Sequence, residues 1–172
     1  MNGLIIDLRN HRGGWFMPFV ISLSPFLNNT TLFAWNDKKV NPTQKKWINF
    51  IKNKLVFQSK IINDGQIHTD IPIAIIIGKK TTSSGEICAS IFYRRSPKIQ
   101  TFGNNTRGLL STNGDFSITP ILKFHMPCSL TTTIDGTFHI NQYLKPRVLT
   151  DTPISDANKW IIQNNLKNKI NK

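Results

Sequence analysis

Ile71-Pro72-Ile73-Ala74-Ile75-Ile76-Ile77-Gly78-Lys79-Lys80-Thr81-Thr82-Ser83-Ser84-Gly85-Glu86 is the stretch on which the fold turns. It opens on an apolar run rich in isoleucine, the pattern of a strand buried on both faces of a parallel sheet. A polar turn follows, and then a helix-like stretch over residues 87–94. A serine at a strand-to-helix turn has its hydroxyl exposed at a sheet edge, beside the first N–H groups of the helix. That is where a nucleophile and an oxyanion site belong. The same letters also spell a capping box, with Ser83 as N-cap and Glu86, the only glutamate of the chain, three residues later. The stretch taken alone leaves both readings open.

A second segment bears on that choice. The chain opens Gly3-Leu4-Ile5-Ile6-Asp7-Leu8-Arg9-Asn10-His11-Arg12-Gly13-Gly14, an apolar strand, a polar turn and a glycine pair. Paired glycines tolerate positive φ and let backbone approach a ligand closely, so an N–H there can point at a reacting carbonyl.

These two segments together resemble the tail-specific, or C-terminal processing, serine peptidases. That family carries a G-L-I-[IL]-D-L-R-x-N-x-G-G strand and, later, a P-[IV]-[AV]-[VI]-L-[IV] strand that leads to [TS]-[AS]-S-[AS]-[SG]-E. Gly103-Asn104-Asn105-Thr106-Arg107-Gly108 is similar to its G-E-x-T-x-G segment. Ile134-Asp135-Gly136-Thr137 and Leu144-Lys145-Pro146 are similar to its D-G-T and I-x-P elements. The resemblance covers nearly the whole chain. It implies an α/β fold of ClpP/crotonase-like stacked β-β-α units and a single catalytic domain over residues 1–172. Family members carry a helical segment, and often a PDZ module, before the first strand, so the chain is expected to be N-terminally truncated.

The resemblance also implies roles. Ser83 is the nucleophile, with Ser84 as the alternative. One oxyanion donor is the Ser84 N–H and the other the Gly14 N–H, in preference to Gly13. Two such donors are each expected to stabilise a transition state by roughly 3 kcal/mol. The usual base of the family, a lysine farther along the chain, aligns with Leu109. Arg107 does not replace it, because a guanidinium keeps its proton. Other branches take the base from a histidine upstream of the first strand, so the base is expected from outside this chain. Within the chain, His11 on the glycine bend is the candidate base; His125 and His139 qualify only if the C-terminal strands fold back over the serine. Asp7 and Arg9 read as a local ion pair, and Glu86 as a helix cap rather than an acid or base.

Composition sets the bounds. The chain has 172 residues, 39% of them hydrophobic, enough for one core and too many for a disordered chain. No apolar run reaches about 18 residues, so no transmembrane segment is expected, and the start lacks a basic leader. Exported or envelope-associated localisation follows only from the resemblance. The net charge is +13. A basic chain can bind nucleic acid, but lysine is spread along this one with asparagine and isoleucine, and no helix-turn-helix, zinc-finger or RNA-recognition pattern is present. No nucleic acid is expected as partner; residues 38–60, with Trp47 and Phe50 among lysines, are the one stretch suited to a polyanion. Cys88 reads as a small buried hydrophobe, and Cys128 lies in a strand-like run. His11, His68, His125 and His139 lack metal-ligand spacing, so no metal or cofactor is expected.

The remaining pattern predicts strands over 3–8, 31–35, 55–62, 71–78, 99–103, 108–118, 121–133 and 138–143. Turns are expected at Asn63-Asp64-Gly65, Asn113-Gly114 and Asp135-Gly136. Helices are expected over 15–27, interrupted by Pro18 and Pro25, over 42–53 from the spacing of Trp47, Phe50 and Ile51, over 83–94 and over 155–169. The last is capped by Ser155 or Asp156, with Trp160, Ile161 and Leu166 on its apolar side. Three functional readings follow: a serine peptidase acting on peptides or proteins, an inactive relative that binds peptide tails by strand addition, and a basic nucleic-acid-binding module.

Overall fold

The computed structural model describes residues 2–27, 30–37, 45–51, 54–57, 60–64, 71–93, 97–132 and 143–170. These residues form a mixed α/β structure with two sheets. The first is parallel, in the order β1 (Leu4–Asp7), β6 (Ile73–Ile77), β7 (Ile99–Gly103) and β10 (Val148–Leu149). The second is antiparallel, in the order β5 (Lys60–Asp64), β4 (Lys54–Phe57), β3 (Lys45–Ile51), β2 (Thr30–Asp37), β9 (Lys123–Thr132) and β8 (Ser111–Ser117).

β6 organises the core, and every one of its residues is buried. Its alternation divides the isoleucines between two layers, because successive side chains of a strand point to opposite faces. Ile73, Ile75 and Ile77 join Ile87 and Ile91 of α2 (Ser84–Phe92), Val20 of α1 (Met17–Leu23) and Leu27. Ala74 and Ile76 join Phe102 of β7 and Ala157 and Ile161 of α3 (Pro153–Ile170). Burying each isoleucine side chain stabilises the fold by about 1.5–3 kcal/mol. Helix α2 is buried along its whole length and also meets β2 of the second sheet, so it is covered on more than one side.

The expected helix over residues 42–53 is corrected. Residues 45–51 form β3, with Ile48 opposite Phe57 and Trp47 opposite Ala34. Apolar residues at 47, 48, 50 and 51 fit either period, and strand length with β-branched and aromatic residues decides for the sheet. The expected strand over 55–62 is two antiparallel strands, β4 and β5, and Asn63 and Asp64 lie within β5. Asn113-Gly114 is not a turn: both residues lie in β8, after a register shift at Thr112/Asn113, and the reversal comes later, where the Ile118 N–H donates to the Leu122 carbonyl. Helix α3 begins two residues early. Pro153 takes the first helical position, which needs no donor, and the Thr152 carbonyl accepts the Asp156 N–H. The Asp156 carboxylate accepts the Thr150 and Thr152 hydroxyls. Leu166 is exposed rather than on the packed side of α3. The expected turn at Asp135-Gly136 and the strand from 138 lie outside the described residues, as do Arg94, Gly65, His68 and His139. No described helix is long and apolar enough to cross a membrane.

Gly103 ends β7 with φ of +109°, and a Cβ there would lie 2.2 Å from the Ile77 carbonyl oxygen on β6. Neither the backbone region nor the space admits a side chain. Gly103→Ala is expected to destabilise the fold by more than about 2 kcal/mol. An unchanged urea midpoint for this variant would contradict that packing.

Candidate functional site

Strands β1 and β6 are parallel neighbours, so the loops that follow them leave the sheet at the same end. Two threonines join those loops. The Thr81 hydroxyl donates to the Leu8 carbonyl at 2.8 Å and accepts the Gly78 N–H at 2.9 Å. The Thr82 N–H donates to the His11 carbonyl at 3.1 Å. Sequence reasoning passed over both, since nothing in the letters separates them from ordinary turn threonines. The glycine bend is thereby laid against the serine turn. A Cβ built on Gly13 would lie 3.1 Å from Ser83 Cβ and 3.5 Å from Ser83 Oγ.

Ser83 precedes α2 with φ of 54° and ψ of −121°, and among the described residues it is the only non-glycine with positive φ. Holding a serine there takes about 1–3 kcal/mol of strain, which the surroundings must impose. Its side chain is half-buried, whereas Ser84 is covered and Ser84 Oγ finds no partner among the described residues. As the first residue of α2, Ser84 has an N–H with no acceptor inside the helix. Gly14, at φ of +120°, has open space around the position of a Cβ. Among the described residues neither of these two N–H groups donates to a protein acceptor.

What imposes the Ser83 backbone is Glu86. Its carboxylate is wholly buried and accepts four donors: the Ser83 N–H at 3.0 Å, the Thr106 hydroxyl at 2.6 Å, the Gly108 N–H at 2.6 Å and the Leu109 N–H at 2.7 Å. Thr106 in turn accepts the Leu144 N–H at 2.8 Å. The first turn of α2 is thus tied to the loop after β7 and to the stretch before β10. All the lone-pair sites of the carboxylate face donors, which gives Glu86 a holding role.

Leu109 stands on that loop with its side chain half-exposed, and Arg107 beside it is exposed. Among the described histidines His11 alone touches the serine turn: a Cβ on Gly85 would lie 2.7 Å from its carbonyl oxygen and 2.9 Å from Nδ1. His125 sits on the β8–β9 hairpin, bonded to Asp115 at 2.8 Å and exposed, so the C-terminal strands do not carry it to Ser83. Asp7 and Arg9 form a half-exposed ion pair with the Arg9 Nη2 at 2.6 Å. The side-chain hydrogen bond from Arg9 holds the Asp7 carboxyl below its ordinary range, and the same bond raises Arg9. The Arg9 stem lies over Gly78, so the pair braces the strand ends. Cys88 is free and buried in α2, and burial pushes its thiol well up, which leaves it inert.

Comparisons with known proteins give the family and the fold. The model of peptidase family S41 matches residues 1–151. The nisin-resistance protein of Lactococcus lactis subsp. lactis is 30% identical over 160 residues, covering 93% of this chain and 50% of that protein. The structure of a lipoprotein from Streptococcus agalactiae superposes with a TM-score of 0.73 at 29% identity, covering 95% of this chain and 55% of that one. A photosystem II D1 C-terminal processing protease shares the fold, with a TM-score of 0.64 at 18% identity, covering 88% of this chain and 35% of that one. The chain spans about half the length of the curated relative it matches.

Proposed function

The chain belongs to peptidase family S41, and from that premise we propose that it is the catalytic domain of a serine peptidase with Ser83 as nucleophile. The observation that carries the reading is the contact between the Gly13-Gly14 bend and a serine held at positive φ, with the Ser84 and Gly14 N–H groups left without acceptors among the described residues. In this mechanism Ser83 Oγ attacks a peptide carbonyl and its proton passes to a base. The carbonyl oxygen gains a pair of electrons that the two N–H groups stabilise. The C–N bond then breaks, the amine leaves with a proton, and water hydrolyses the acyl ester. Ser84 is the weaker candidate for the attack, because its hydroxyl is covered. The base comes from a residue outside this chain. The domain is read as ClpP/crotonase-like and tail-specific, as its two motifs imply, and its substrates as peptides or proteins. Nisin is the first substrate to try, given the name of the relative at 30% identity.

A second reading has one observation in its favour. Leu109 stands where the usual family lysine would be, and a domain without a base would bind peptide without cutting it. A fluorophosphonate probe separates the two. The full-length protein is expected to be labelled on the peptide that contains Ser83, and labelling that is absent or lies elsewhere would leave the binding reading.

A further inference from the structure

His11 stands between the two halves of the site, and all of its polar contacts are with backbone. Its N–H donates to the Leu8 carbonyl at 3.0 Å, its carbonyl accepts the Thr82 N–H at 3.1 Å, and its Nδ1 accepts the Gly13 N–H at 3.2 Å. The ring meets Phe19 edge-on, with centroids 6.3 Å apart. An Nδ1 that accepts a backbone N–H carries no proton, so in the neutral ring the proton sits on Nε2. Such a ring has no free lone pair for a serine proton. What it does resemble is an Asx turn, in which a side-chain acceptor closes on the N–H two residues ahead.

We propose that His11 is a positioning residue: by taking the Gly13 N–H it fixes the glycine bend so that the Gly14 N–H faces the reacting carbonyl, and protonation of the imidazole releases the bend. The inference rests on the serine-peptidase reading above. Two successive glycines at φ of +112° and +120° have little steric restraint of their own, so a single hydrogen bond can decide their orientation. A protonated ring carries hydrogen on both nitrogens. Its Nδ1–H would then face the Gly13 N–H, donor against donor, and the pair must part. The serine turn packed against the His11 loop carries Lys79 and Lys80, both exposed, and the loop beyond it carries the exposed Arg107. Helix α1 contributes Phe19 and has no charged residue. The one charged residue of α2 is Glu86, whose carboxylate is held by four donors. On the loop itself Arg9 is paired with Asp7, and Arg12 is exposed.

The test uses full-length protein, with labelling rates by a fluorophosphonate probe and the Gly13 amide resonance both followed over about pH 5 to 8, the range in which imidazoles take up a proton. At the upper end His11→Ala is expected to label about tenfold more slowly than wild type, and His11→Asn to recover most of that loss, because Asn Oδ1 can accept the same N–H. As the pH falls, the wild-type rate is expected to drop about tenfold against His11→Asn, whose acceptor does not titrate. The Gly13 amide shifts with the imidazole in the wild type and stays put in His11→Asn. A Gly13 amide indifferent to the titration, or parallel pH profiles for wild type and His11→Asn, would overturn the inference. Loss of labelling by His11→Asn at every pH would make His11 the base instead. A wild type that never labels, with a Gly13 amide that still follows the ring, would sink the peptidase reading and leave only the hydrogen-bond switch.

Discussion

Ser83→Ala is expected to lower kcat for peptide hydrolysis by about 10⁴- to 10⁶-fold, the loss seen when a serine nucleophile is removed from a site whose other parts remain. The fold should hardly register the change. Ser83 is half-buried, and its backbone is held by the Glu86 carboxylate through an N–H that alanine keeps. Stability within about 1 kcal/mol of the wild type is therefore expected, measured as the urea midpoint beside turnover of a peptide substrate. Ser84→Ala is the matched comparison. It removes a buried hydroxyl without a partner among the described residues, a group whose burial works against stability, and it keeps the N–H. If Ser84→Ala rather than Ser83→Ala extinguishes turnover, the assignment of the nucleophile is reversed. If neither does, the chain has no serine chemistry at this turn.

Glu86→Gln is expected to give the largest loss of stability from a change of so little volume. The carboxylate accepts four donors from two separate loops while wholly buried. An amide keeps one oxygen and turns the other position into a donor. Either orientation sets its NH₂ group against two of the four N–H and O–H groups. Each buried donor left without an acceptor costs about 1–3 kcal/mol. A loss of about 3 kcal/mol or more is expected, which for a chain of this length is a fall of roughly 6–12 °C in Tm. Turnover should fall as well, measured well below the new Tm, because the released N–H belongs to Ser83 and the released loop to Leu109. A Tm within a degree of wild type would mean that the four bonds do not hold the site together.

Much of the architecture was legible in the letters. The isoleucine run of β6 had to be a strand buried on both faces, and Ser83 with Glu86 marked the start of α2. The capping box and the proposed nucleophile fall on the same residue rather than being rivals, since the Glu86 carboxylate accepts the Ser83 N–H and so fixes the backbone of the turn. Other stretches misled. Residues 45–51 carry apolar positions that serve a helix or a strand, and the pairing partners β2 and β4 chose. Asn113-Gly114 has the letters of a tight turn, yet the register between β8 and β9 pushed the reversal past Ile118. The likeness to G-E-x-T-x-G marks Thr106, but nothing in that segment names Glu86 and Leu144 as the groups it links.

By itself the sequence determined which residue types were on hand: one glutamate three residues after a serine at a strand end, and a glycine pair after another strand. Patterns of hydropathy and turn residues act over a few neighbours, so they reach that far and no farther. That His11 and Gly13 would press against Ser83 and Gly85 was settled by the tertiary structure. Parallel pairing of β1 with β6 carries two distant loops to one edge of the sheet, hydrogen bonds through Thr81 and Thr82 join them there, and Glu86 ties the serine turn to the loop after β7.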